Sequence, residues 1–390
     1  MKYSVVIWGL ILATSVVAML LRTLFLRFRF FRPIVPLCLG YLLHVVFLHS
    51  DINVEMEKRV QLDSSTLRSW VVPSTIVYGF HNGVRYISKH TDYSCDVVHT
   101  LLVLGIQICI CSYCFDLSIA ACAALACTDP ATLLTVTDNV AMEKSAVGIL
   151  MLRSITQTIL SIYVLGVSLG VGEWWQYVVS ICIGFVSAIV WRGLAVFLHE
   201  RGDKNGWLTF LLIAPYMVYA IAESVLPVCG VGAVAIYAIT YAWRSHRAWH
   251  DVDASAIGSI RSISVTSENV FFVILGMFSA RHPHAWSLNT MYITIVLFGI
   301  QMFFSVFYCY DNRKWTLCKS VVVGMHGFRG PISIVIACAL AQDDTLIACP
   351  VMVTMTIVSA ICCQVVDGFT NTVVLDRHTT TEHETLLSDA

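Results

Sequence analysis

The amino-acid sequence predicts an all-α polytopic membrane protein of about 13 transmembrane helices. They are expected to form two inverted six-helix repeats joined by a seventh helix, with helices 5 and 12 discontinuous. Three observations predict this. The first is composition: of 390 residues, 57% are apolar and only 13% are charged, against roughly a quarter in soluble domains. So long and apolar a chain cannot hide its hydrophobic surface in a water-soluble core. The second is the placement of Lys and Arg, which is uneven between loops. The third is a pair of apolar segments, seven apart, each interrupted by proline and charge.

The segments fall at 3–25, 33–49, 68–83, 95–114, 116–137, 145–171, 175–198, 206–228, 230–243, 263–280, 288–309, 317–341 and 347–367. The first is long enough to span and is followed by Arg22, Arg27, Arg29 and Arg32 rather than by a small-residue cleavage site, so it is expected to be a retained helix and not a signal peptide. The third, fifth and ninth are short or interrupted by Gly, Pro or polar residues.

The loops after segments 1, 7, 9 and 11, with the adjoining helix ends, are basic. They carry Arg22 to Arg32; Arg192, Arg201 and Lys204; Arg244, Arg247 and Arg261; and Arg313, Lys314 and Lys319. Loops 4, 6, 8 and 12 hold no Lys or Arg. Loop 2 departs from the pattern with Lys58, Arg59 and Arg68, which it mixes with Asp51, Glu55, Glu57 and Asp63. Basic loops stay in the cytosol, so the N-terminus is expected outside and the C-terminus in the cytosol. Residues 1–367 form one transmembrane domain in this reading. Residues 368–390 form a short cytosolic tail expected to be disordered, with no soluble domain at either end.

The formal net charge of −1 excludes a strongly basic nucleic-acid binder. The 15 cysteines lie mostly inside apolar runs and show no zinc spacing, so they read as small packing residues. No nucleophile elbow or phosphate loop is present, and neither an enzyme nor a cofactor is expected.

Polar and ionisable groups inside spans are costly and therefore functional candidates. In segment five, Thr128-Asp129-Pro130 sets a carboxylate and a hydroxyl beside a proline, which removes a backbone donor and frees carbonyls. In segment twelve, Gly327, Gly330 and Pro331 surround Arg329. A proline kink, or a plain loop-to-helix boundary, is the bland alternative for each. Their matching positions in the two repeats point instead to a transporter site. Glu268, in Thr266-Ser267-Glu268-Asn269 at the start of segment ten, and Glu223 in segment eight complete the set. Either glutamate is equally a structural partner for an arginine.

These residues resemble the sodium/proton exchangers of the monovalent cation:proton antiporter superfamily, from about Trp70 to Leu375. Val72-Pro73 with Tyr78-Gly79-Phe80 is similar to the family's Leu-Pro-Pro segment, and Thr128-Asp129-Pro130 to its Asp-Pro crossing. Pro215-Tyr216 to Ala222-Glu223, followed by Gly230 and Ala233, resembles its Tyr…Ala-Glu…Gly…Ala helix. Ser267-Glu268 to Leu275-Gly276 resembles its Ser-Glu-Thr-Leu-Ile-Phe…Leu-Gly helix. Gly327-Phe328-Arg329-Gly330 resembles its Gly-Leu-Arg-Gly.

The family's central Gly-Glu-Ser-Leu-Leu-Asn-Asp motif should fall at residues 152–158. There the chain has Leu152-Arg153-Ser154-Ile155-Thr156-Gln157-Thr158. The serine is kept, Arg153 replaces the glutamate, and Gln157 and Thr158 replace Asn-Asp. The family's arginine in the helix before Arg-Gly is also missing: segment eleven has no charge before Asp311.

The resemblance implies a cation/proton antiporter, exchanging sodium or potassium ions for protons by alternating access across the lipid membrane, and a homodimer. In such a protein one buried carboxylate binds proton or cation in competition. Thr158 and Gln157 offer oxygen but no titratable charge. Thr128, Asp129, Ser154, Gln157 and Thr158 are therefore the ion-binding or coupling candidates, with Asp129 as the relocated acid. Arg153, Arg329, Glu223 and Glu268 are the charge-compensating candidates. Asp129 is the acid expected to offset the two arginines.

The same departures leave open a transport-inactive relative acting as a regulatory or binding subunit, and anion or uncoupled conduction through a site holding Arg153 and Arg329. Glu382-His383-Glu384-Thr385-Leu386-Leu387 resembles an acidic dileucine sorting signal, and plasma and endosomal membranes both stay open.

Overall fold

The computed structural model describes residues 2–24, 31–47, 64–87, 94–137, 144–170, 173–201, 204–225, 229–245, 250–311, 324, 329–330, 332–333, 346–359 and 361–362. They contain helices and no strand. The helices are α1 (Lys2–Leu24), α2 (Phe31–Phe47), α3 (Ser64–Tyr86), α4 (Ser94–Phe115), α5 (Ile119–Ala126), α6 (Pro130–Thr137), α7 (Lys144–Ser168), α8 (Trp174–Glu200), α9 (Lys204–Val225), α10 (Cys229–Ser245), α11 (His250–Arg281) and α12 (Leu288–Asp311). A shorter apolar helix, α13, covers Leu346–Ser359.

Ser94–Phe115, Val147–Ser168, Trp174–Leu198, Gly258–Arg281 and Leu288–Tyr308 are each long and apolar enough to cross a membrane. Within them lies an inside–outside division. Two thirds (67%) of the apolar window of α7 is buried in the protein, against 17% for α8. A helix that is apolar all round but buried on only one side faces hydrocarbon with the rest. Phe185, Val186, Val190 and Phe197 on α8 are exposed accordingly.

The main core joins α3, α5, α7, α10 and α11 through Ile76, Phe80, Leu125, Met151, Ala233, Ala235 and Phe272, all nearly inaccessible. Without water, association rests on close packing and internal hydrogen bonds. The crossing of α2 and α11 shows it: a Cβ on Gly40 would run into the Val273 carbonyl, and one on Gly276 into the Leu37 carbonyl. Hydroxyls inside helices turn back onto their own backbone, as in Ser15 to Ile11, Thr100 to Asp96 and Ser279 to Leu275, so these three are satisfied within their own helices.

Segment five, expected to be discontinuous, consists of two helices, α5 and α6, separated by Cys127, Thr128 and Asp129. One boundary differs from the sequence reading. Segment ten begins at His250, 13 residues before 263. Its polar first turns (His250, Asp251, Asp253) kept it out of a hydropathy-based span. Ser267, Glu268 and Asn269 consequently sit within α11 and are buried, rather than at its start. Most of segment twelve, with Gly327 and Pro331, and the tail lie outside the described residues.

Candidate ion-coupling site

The break between α5 and α6 is built by local chemistry. Pro130, lacking an N–H, fits the first position of a helix. Asp129 caps that helix, its Oδ1 accepting from the amides of Ala131 at 2.9 Å and Thr132 at 3.4 Å. Oδ2 accepts from the amide of Ile332 at 3.0 Å. One carboxylate thus receives three backbone amides from two parts of the chain more than two hundred residues apart. Helix N-termini carry partial positive charge, which an acid offsets.

The carbonyls beside the break are satisfied in turn. Cys127 O accepts from the Ser333 hydroxyl at 2.9 Å, and Asp129 O from the Leu133 amide at 3.0 Å. Thr128 O lies against the hydroxyl of Thr158, which also reaches Ser154 O at 2.7 Å. Gly330 must be glycine here, because a Cβ would strike the Asp129 carboxylate and the Thr132 hydroxyl. Gly79 on α3 has the same reason: a Cβ would meet Ala131 N at 2.7 Å.

Helix α7 supplies the opposite wall. Ser154, Gln157 and Thr158 lie on one face at i, i+3 and i+4, all buried. The single hydroxyl proton of Thr128 has two acceptors in reach, Gln157 Oε1 at 3.3 Å and Ser154 O at 3.4 Å. Gln157 Nε2 donates to Gln107 Oε1 on α4 at 3.1 Å. A cavity of about 40 Å³ opens between these elements, room for a water or a small ion. Among its walls are Thr128, Asp129, Ser154, Gln157, His99 and Arg153. Asp129 is the one carboxylate among the lining residues. Thr158, at the position of the family's acid, is held on the backbone and does not line it.

Beside Arg153, for which Asp129 was the expected counter-charge, stands another acid. Arg153 Nη2 lies 3.8 Å from Oδ1 of Asp96 on α4, and its guanidinium stands over the Tyr308 ring at 5.3 Å. Asp96 is fully buried although it stands near the end of its helix. The signal in the sequence was the stripe Asp96, Thr100, Val103 and Gln107, a helical period of buried residues with polar members on an otherwise apolar segment. His99, beside that stripe, places Nε2 at 3.1 Å from the Phe304 carbonyl and stacks on Tyr308.

The other candidates separate. Arg329 is 1% exposed, and no atom of its guanidinium has a hydrogen-bond partner among the described residues. Its carbonyl accepts from Thr356 on α13 at 2.8 Å. Glu268 is buried within α11. Glu223 sits apart from the cavity, where Oε2 accepts from the Gly230 amide at 3.2 Å and so ties the end of α9 to the start of α10. Among the described residues no cluster of His, Cys, Asp or Glu is suited to holding a metal ion.

Comparison with known proteins follows the same lines. No curated protein matches the chain. The structure of the sodium proton antiporter MjNhaP1 from Methanocaldococcus jannaschii at pH 8 is similar over 93% of this chain and 100% of that one. The TM-score is 0.63 and the sequence identity 16%, so this likeness concerns the fold. The family model for the transmembrane sodium/hydrogen exchangers matches residues 87–377, which include the break, the α7 face and Arg329. The chain therefore belongs to the sodium/hydrogen exchanger family.

Proposed function

We propose that the protein is a membrane cation/proton antiporter that exchanges sodium or potassium ions for protons by alternating access, with Asp129 as the exchanging carboxylate. The observation that carries this reading is that Asp129 lines the cavity at a helix break, while the α7 position usual for the acid is Thr158. Thr128, Ser154 and Gln157 bring oxygens to the same cavity, so a cation entering it meets one charge and several neutral ligands. Bound proton and bound cation then compete for one carboxylate, which is what couples two fluxes. Residues 1–367 act as the transport domain, 368–390 as a cytosolic tail, and the protein works as a homodimer.

The test is proteoliposome exchange driven by a pH gradient, with sodium, potassium and lithium compared. Wild type is expected to show cation-dependent proton flux, and Asp129→Asn to lose it while remaining monodisperse in detergent. A silent wild type, or an unchanged Asp129→Asn, sinks the proposal.

One observation favours a second reading. Both oxygens of Asp129 are already engaged by three amides, and the Thr158 hydroxyl is engaged by carbonyls. A transport-inactive relative serving as a regulatory or binding subunit would keep such a capped crossing as scaffold. In that case wild type shows no flux, and combining Thr158→Asp with Arg153→Glu creates transport absent before.

A further inference from the structure

The cavity has one carboxylate and one guanidinium on its walls, Asp129 and Arg153, together with the His99 imidazole. A guanidinium is a permanent cation on a flexible stem. If it turned to Asp129 it would be the strongest competitor that any transported cation could meet, because it is tethered. At about 40 Å³ the space holds roughly one water-sized occupant, so a guanidinium and an ion cannot share it. What decides whether the site is open is where Arg153 goes.

The structure gives Arg153 a different acid. Asp96, 0% exposed on α4, stands 3.8 Å from Nη2. That separation is an ion pair longer than a hydrogen bond, so charge rather than a fixed fork holds the guanidinium there. Tyr308 on α12 presents its ring at 5.3 Å, and an aromatic face adds to the attraction of a cation. His99 packs at a tilt against the same ring, at 4.3 Å between centroids, with Nε2 at 3.1 Å from the Phe304 carbonyl. Asp96 and Tyr308 thus hold the guanidinium on the α4–α12 side of the cavity, with His99 packed against Tyr308.

We propose that Asp96 is a positioning residue that keeps the ion site open by holding Arg153 away from Asp129. Removing its charge deprives the buried guanidinium of the carboxylate that faces it, which is unfavourable, and the carboxylate on the cavity wall is Asp129. Arg153 then becomes a tethered plug. This rests on Asp129 being the exchanging carboxylate, but the movement of Arg153 is measurable without transport.

The experiment compares wild type, Asp96→Asn, Arg153→Gln and the Asp96→Asn, Arg153→Gln double variant in lipid nanodiscs. Structures of wild type and of Asp96→Asn are determined, and sodium-dependent thermal stabilisation is measured for all four. In Asp96→Asn the guanidinium is expected within ion-pair distance of Asp129, and the sodium concentration for half-maximal stabilisation is expected to rise by about tenfold or more, the equivalent of one lost charge interaction of moderate strength. The double variant is expected to return to the value of Arg153→Gln.

Arg153 remaining on the α4 side in Asp96→Asn overturns the proposal. So does a sodium response that falls equally in Asp96→Asn and in the double variant. Should Asp96→Asn fail to fold, the double variant decides: its folding supports the pairing of the two residues, and its failure means that Asp96 serves the fold independently of Arg153. No sodium response in any variant removes sodium as the exchanged ion, while the position of Arg153 in Asp96→Asn still decides the role of Asp96.

Discussion

Thr158 stands where a family carboxylate is expected, and its surroundings explain how the chain tolerates the change. A charged side chain at this buried position would need a compensating cation or proton. A hydroxyl needs only an acceptor, and it has two carbonyls in reach, Ser154 O and Thr128 O. The Thr128 carbonyl is one of those left beside the helix break, so the hydroxyl also closes the backbone there. Thr158→Val keeps the shape and removes the donor. It is expected to lower stability by about 0.5–1.5 kcal/mol, the net worth of one hydrogen bond, because the Cys127 thiol at 3.6 Å stays as a weak donor to Thr128 O; the readout is a drop in melting temperature in detergent. Unchanged melting would show that the thiol alone suffices for that carbonyl. Asp129 is predicted to be the more sensitive of the two residues, since Asp129→Ala would leave three amides without an acceptor at once. A larger melting drop for Asp129→Ala than for Thr158→Val checks this, and equal drops would contradict it.

At the scale of the helices, close approach replaces the hydrophobic drive that water would provide. The α2–α11 crossing is held by two glycines that lay each backbone on the other, Gly40 on Val273 and Gly276 on Leu37. Since the atoms they meet are backbone carbonyls, a side chain cannot be accommodated by a rotamer change. Gly276→Ala is predicted to force the helices apart and to destabilise by roughly 1–3 kcal/mol, as overpacking does. Gly299→Ala, where a Cβ meets nothing within 4 Å, is expected to be neutral or slightly stabilising, because alanine favours helix. Thermal unfolding of the two variants side by side checks the contrast, and equal effects would remove the crossing as the cause. These elements were unequally legible in the sequence. The α5–α6 break was readable because Asp-Pro is both a capping and a helix-starting signal. The true start of α11 was not, because its first turns are polar and helical at once, and hydropathy sees only the apolar part. Asp96 was passed over for a related reason: an acid near the end of a span reads as solvated, and only the packing of α4 against α7 reveals it as buried. The bond from Ile332 to Asp129 joins positions 203 residues apart, and no local pattern encodes it.

For the whole molecule, the alternation of basic loops gives an orientation that helix α8 can test. It has 27 residues, or about 40 Å at 1.5 Å per residue, enough to cross the hydrocarbon core with both ends in the interfaces. Its two ends differ in character. Glu173, Trp174 and Trp175 mark one, and all three are exposed; paired tryptophans are typical of the membrane–water boundary. Arg192 and Arg201 mark the other, with Arg201 exposed. Lys and Arg are retained on the cytosolic side, so the Glu173 end is predicted to face outside and the Arg201 end the cytosol. Glu173→Cys is then expected to react with a membrane-impermeant maleimide on intact cells. Arg201→Cys is expected to react only after permeabilisation, each measured above the labelling of the parent protein with its own cysteines. Cys182, the native cysteine of α8, is exposed on the face of the helix turned to lipid and is expected to add little to either signal. The reverse pattern would place the N-terminus inside. It would also turn the cavity beside Asp129 to the opposite sense of access, because α7 and α8 follow one another across the same membrane and any inversion of one inverts the other.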